Sequence, residues 1–131
     1  MRVLALDYGV SRTGVAVSDE TGTIATPLGV VERVNTETGM RRLLDIIDEQ
    51  MPATVVVGIP VSLDAKENAQ ARAVREFIAL LGVATEVPIA TYDERFTTKV
   101  AQQRGGSSGI DARAAALILE DYLRSVARDD D

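Results

Sequence analysis

Val3-Leu4-Ala5-Leu6-Asp7-Tyr8-Gly9 sets four apolar residues before an aspartate and a turn glycine. An unbroken apolar run of this length reads as a strand buried on both faces, and such strands belong to α/β sheets. Outward from it, Gly9 to Gly14 reads as a turn, Val15 to Ser18 as a second strand, and Asp19-Glu20-Thr21-Gly22 as another turn. A third strand falls within Leu28 to Val34. Three short strands with tight connections predict an antiparallel meander. The period then changes. Met40, Leu43, Leu44 and Ile47 recur at helical spacing, predicting an amphipathic helix over Glu37 to Glu49. Thr54 to Ile59 is a β-branched strand. Val74, Phe77, Ile78 and Leu81 mark a second helix, closed near Gly82. Val87 to Tyr92 is a fifth strand. A short helix follows Thr97, Gln102 to Gly109 is a polar loop, and a last helix spans Asp111 to Val126. Right-handed crossovers make strands one, four and five parallel. The expectation is an α/β fold with a five-stranded mixed sheet and helices on both faces, in one domain spanning residues 1–131.

The composition narrows the chemistry. The 131 residues are 46% hydrophobic and 26% charged, which suits a globular domain with a substantial core. The chain has no Cys and no His. Disulfides, catalytic thiols, His-dependent triads and ordinary zinc sites are therefore excluded. Aromatics make up only 4%, so base stacking on an aromatic platform is disfavoured. The net charge of −6 disfavours strong non-specific nucleic-acid binding, although a local basic patch counts for more than the total. No apolar run approaches a membrane span, and the strand-like N-terminus is not a signal peptide. A cytoplasmic location is expected.

The acidic residues fall at element ends. Asp7 closes the first strand, Asp93 and Glu94 follow the fifth, and Asp111 opens the last helix. Parallel strands present ligand sites at their carboxyl ends. Asp93 and Glu94 are adjacent on extended backbone, so only one can face Asp7. Asp111 shares a helical face with Ala115, Ile118 and Tyr122, the apolar face. Each acid also has an ordinary role as a turn or cap residue. Carboxylates gathered without His or Cys favour a hard cation, Mg²⁺ or Mn²⁺, and phosphodiester hydrolysis. Arg12, in a glycine-flanked turn, is a candidate phosphate contact. The competing role for Arg12 is a surface ion pair with Asp19 or Glu20. Asp19, Asp45, Asp48 and Asp64 read as turn or solvated-face residues, and Arg41, Arg42, Arg72 and Arg75 as exposed helix charges.

Four blocks carry a family resemblance: Leu4 to Asp19, Val57-Gly58-Ile59-Pro60, Tyr92-Asp93-Glu94-Arg95-Phe96-Thr97-Thr98, and Ile110 to Leu123. In order and over nearly the whole chain, they resemble the bacterial YqgF-type proteins, a family of Holliday-junction-resolvase-like, pre-16S rRNA processing nucleases. The resemblance implies an RNase H-like fold. It also implies a three-acid site at Asp7, Glu94 and Asp111 that holds divalent metal. Arg12 and Arg95 are the candidate substrate-binding residues. Two features depart from the family pattern: Asp64 precedes Ala65 rather than Gly, and Gln102 to Gly109 offers only Arg104 as a cation. The expected activity is metal-dependent endonucleolysis of structured RNA, at the 5′ end of pre-16S rRNA, by a monomer or homodimer. Cleavage of branched DNA, a non-catalytic binding module and, more remotely, an actin-like ATPase are the rivals.

Overall fold

A computed structural model describes residues 1–60, 68–94 and 112–129. Five strands form one sheet in the order β3-β2-β1-β4-β5. They are β1 (Val3–Asp7), β2 (Arg12–Ser18), β3 (Ala25–Glu32), β4 (Thr54–Ile59) and β5 (Ile89–Asp93). β1, β2 and β3 pair antiparallel, as the meander predicts, and β4 pairs parallel with both β1 and β5. The mixed five-stranded sheet expected from the sequence is present.

Among the described residues three helices cover it: α1 (Glu37–Gln50), α2 (Ala69–Ala84) and α3 (Ala112–Asp129). Thr36 caps α1, its hydroxyl accepting the Gly39 N–H at 3.1 Å. Asn68 caps α2 in the same way, accepting the Ala71 N–H at 2.8 Å. One sheet face carries Leu4, Leu6, Val15, Val17, Val55 and Val57 under the apolar stripes of α1 and α2. The opposite face carries Val3, Ala5, Ala16 and Val56 under Ala115, Ala116 and Leu119 of α3. β1 is buried along its whole length because both faces are covered.

Several boundaries depart from expectation. β2 begins at Arg12, inside the segment read as a turn, because Thr13 is buried and Gly14 pairs with Asp7. β3 begins at Ala25, three residues early. Its Pro27 is tolerated on an edge strand, beside a register shift at Val15/Ala16. α2 runs through Gly82 to Ala84, and the Thr85 N–H closes it on the Leu81 carbonyl. A Cβ on Gly82 would meet only Ile89 Cδ1, at 3.9 Å, so the glycine imposes no stop there. α3 extends three residues past Val126. The short helix after Thr97, the loop from Gln102 to Gly109, Asp64 and the start of the last helix at Asp111 lie outside the described residues.

Candidate active site

Asp7 ends β1 at 0% exposure. Tyr8 turns to the opposite face, where its ring stacks on Phe77 with centroids 4.8 Å apart. Asn35 Nδ2 donates to the Tyr8 hydroxyl at 2.5 Å, so the backbone leaving Asp7 is fixed from both sides. Asp7 alternates with Val3 and Ala5, which puts it on the face covered by α3. Its neighbour on β2 is Gly14. On the other side, the register Leu6↔Val57 carried one residue further brings Gly58 beside it. Asp7 therefore has a glycine on each flanking strand.

Gly58 pairs onward with Tyr92 of β5, and Ile59 with Asp93. Glu94, two residues beyond Tyr92, returns to the α3 face. A Cβ built on Gly58 would lie 3.0 Å from Glu94 Cδ, 3.1 Å from Glu94 Cγ and 2.8 Å from Ile118 Cδ1. Of the two adjacent acids, Glu94 therefore closes over Gly58, while Asp93 is only half-buried and belongs to the row of Ile59. Glu94 is 7% exposed. The structure thus brings two buried carboxylates to the carboxyl ends of β1 and β5, on either side of a glycine. Nothing in the sequence pattern singles out Gly58 except its place inside the β-branched run Val55-Val56-Val57-Gly58-Ile59. A glycine inside a strand marks close approach of another group.

Burying carboxylates in ionised form costs several kcal/mol each, on the order of magnitude, unless positive charge or hydrogen bonds compensate. Oxygen donors of this kind suit Mg²⁺ or Mn²⁺ rather than a soft metal. Two buried carboxylates, in a chain with neither His nor Cys, make a hard oxygen-donor set, so the residues present fit a hard divalent cation. Among the described residues no three acidic side chains converge. Asp111, the third expected ligand, and Arg95, the second expected substrate contact, lie outside the described residues. The face of α3 that continues the Asp111 spacing, at Ala115 and Ile118, is buried.

Arg12 is exposed at the start of β2, two residues before the Gly14 that pairs with Asp7. Its cross-strand partner is Glu32. Asp19 and Glu20 follow the opposite end of β2, so the expected alternative pairing with them is ruled out by strand length. The Gly9 N–H donates to Thr13 Oγ1 at 3.4 Å. Asp19 is a turn residue, as read. It accepts the Ile24 and Thr23 N–H groups and the Thr21 hydroxyl. Those bonds, the Ile24 one foremost, lower its pKa to about 2. One contact has no forerunner in the sequence reading. The Tyr92 hydroxyl donates to Asp121 Oδ2 at 2.6 Å, tying β5 to α3 next to the site.

The family model described as "RuvX: Holliday junction resolvase" matches residues 1–125. The chain belongs to the RuvX family. A Desulforudis audaxviator relative named "Putative pre-16S rRNA nuclease" is 39% identical, with 95% of each chain covered. A Thermus thermophilus relative of the same name is also 39% identical, covering 94% of this chain and 97% of its own. Among solved structures, T. thermophilus RuvC in complex with Holliday junction substrate superposes with a TM-score of 0.59 at 21% identity, covering 97% of this chain and 96% of that one. The fowlpox virus resolvase with Holliday junction DNA gives 0.55 at 11% identity, covering 96% of this chain and 99% of that one. At such identities these likenesses speak for the fold, and it is RNase H-like. Resolvases and rRNA nucleases both break phosphodiester bonds, so RuvX membership places the chain among phosphodiester-cleaving enzymes. No helix among the described residues is long and apolar enough to cross a membrane.

Proposed function

We propose that this RuvX chain is a divalent-metal-dependent endonuclease acting on structured RNA, with the 5′ end of pre-16S rRNA as substrate and the cytoplasm as its place of work. The observation that carries this reading is the pair of buried carboxylates, Asp7 and Glu94, at the carboxyl ends of β1 and β5, with Glu94 packed over Gly58 of the strand between them. Asp7 and Glu94 hold the cation through ionised oxygens, and Asp111 completes the set at the start of the last helix. The bound cation supplies Lewis-acid activation of water and neutralises charge at the scissile phosphate. Arg12 and Arg95 hold the substrate backbone by charge-assisted hydrogen bonds. α3 closes the sheet face behind the carboxylates and keeps water from screening them. No side-chain nucleophile is needed, in keeping with a chain that has neither His nor Cys. The names of the relatives support rRNA as the substrate.

The family model's description favours a second reading, cleavage of four-way DNA junctions. Labelled pre-16S rRNA and a labelled junction, each incubated with Mg²⁺, Mn²⁺ or EDTA, separate the two. The expected result is metal-dependent cuts in the RNA. Paired symmetric cuts in the junction alone would establish the second reading, and no cleavage of either would overturn both.

A further inference from the structure

Two described residues other than glycine have left-handed backbone: Arg33 at φ 48° and Met51 at φ 50°. Met51 is the ordinary case, a residue closing helix α1, with its N–H on the Ile47 carbonyl. Arg33 is different. It follows β3, and its N–H donates to the Ser11 carbonyl at 2.9 Å, which brings it next to Arg12 at the carboxyl end of β1. Its carbonyl accepts the Thr36 N–H at 3.0 Å and the Thr36 hydroxyl at 2.7 Å. Gly39 packs so closely that a Cβ there would sit 2.0 Å from the Arg33 carbonyl oxygen. The turn is fixed on every side, and it requires the left-handed region. That conformation disfavours a residue with a Cβ, while glycine or asparagine would adopt it readily. Arginine stands there all the same, and it is exposed.

We propose that Arg33 and Arg12 form a phosphate-binding pair that holds the nucleic-acid backbone over the β2–β3 edge, away from the scissile bond. The inference rests on the nuclease reading and adds to it a direction for the substrate. β3 lies two strand spacings from β1, roughly 10 Å across the sheet. Arg33 therefore meets phosphates a few nucleotides from the one at Asp7. Glu32, exposed opposite Arg12, makes at most a weak surface pair with it, and a phosphate can replace that partner. The turn at Arg33 presents the side chain from a fixed backbone point, so binding need order only the side chain.

The left-handed backbone gives a discriminating test. Arg33→Gly removes the cation and relieves the backbone at once. In full-length protein carrying Asp7→Asn to prevent cleavage, Arg33→Gly should melt no lower than its parent yet bind a labelled RNA hairpin more weakly. One lost phosphate contact lowers the slope of log affinity against log salt by about 0.7–0.9, so between 50 and 200 mM salt the loss of affinity shrinks by roughly threefold. Arg33→Lys should keep the slope. Arg33→Asn, which also tolerates this backbone, should reproduce the glycine result if glycine itself impairs folding. Affinity and slope unchanged in both Arg33→Gly and Arg33→Asn would overturn the pair and leave the nuclease reading standing. Failure of the parent to bind RNA or a four-way junction at any salt would overturn both.

Discussion

Asp7 sits at a point where sequence and structure agree residue for residue: an acid after four apolar positions, fully buried, flanked by Gly14 and Gly58. Asp7→Asn keeps the shape and removes the charge. Loss of groups that merely support metal ligands costs roughly 10–100-fold, so loss of a ligand should cost more, and cleavage should fall below detection. Without metal the variant should melt at or above wild type, because repulsion with Glu94 is relieved. A calorimetric scan beside a cleavage assay checks both halves. Arg12→Ala should weaken RNA binding and lower its salt slope by about one with little change in melting temperature. A slope equal to that of wild type would mean that the substrate approaches from another side. Asp19 gives the pH prediction. Its folded pKa of about 2 lies below the ordinary carboxylate value, so its stabilising effect is present above roughly pH 4 and is lost as pH falls through 2. Asp19→Asn should lower stability at neutral pH, converge with wild type as pH falls toward 2, and so flatten the acid limb of a stability-against-pH curve over that window. At this scale the sequence pointed to Asp7 and Glu94, which the structure buries, but not to Arg33, because a left-handed turn held by Ser11, Thr36 and Gly39 leaves no local signature in an arginine.

At the scale of elements, β4 does more than join β1 to β5. Its Gly58 lets Glu94 and Ile118 pack directly onto the strand between the two carboxylates. Gly58→Ala would press a methyl group to 2.8 Å from Ile118 Cδ1 and 3.0 Å from Glu94 Cδ. Overpacking of this kind costs on the order of 1–3 kcal/mol. The variant should still fold, with weaker metal binding and activity reduced beyond what its stability loss explains. Titration calorimetry with Mn²⁺ on folded Gly58→Ala measures the first effect directly, and wild-type affinity would show that the placement of Glu94 over Gly58 does not matter for the cation. Strand and helix identities were legible because each segment has a clean period: unbroken apolar for β1 and β4, and 3.6 for α1 and α2. The ends were harder to read. Gly82 looks like a stop but lies in open helix, and the Arg12–Gly14 segment looks like a turn but pairs with β1 and β3. In the Arg12–Gly14 segment strand pairing outweighs local preference. Whether Glu94 or Asp93 faces Asp7 could not be read from adjacency alone. The register of β5 against β4 decides it.

Across the whole molecule, the parallel pairing of β1, β4 and β5 brings acids distant in sequence to one end of the sheet, and α3 seals the face they share. A cation that binds only the folded chain raises its melting temperature by mass action. Millimolar Mg²⁺ or Mn²⁺ should therefore stabilise wild type and do so less in Asp7→Asn. The central claim is that Asp7 and Glu94 together make a metal-dependent phosphodiesterase. The most direct measurement is single-turnover cleavage of labelled pre-16S rRNA by wild type, Asp7→Asn and Glu94→Gln, with EDTA and then with Mg²⁺ restored. The account predicts cleavage by wild type that EDTA abolishes and Mg²⁺ restores, and none by either variant under any condition. Cleavage that persists in EDTA, or near-wild-type rates in either variant, would contradict it.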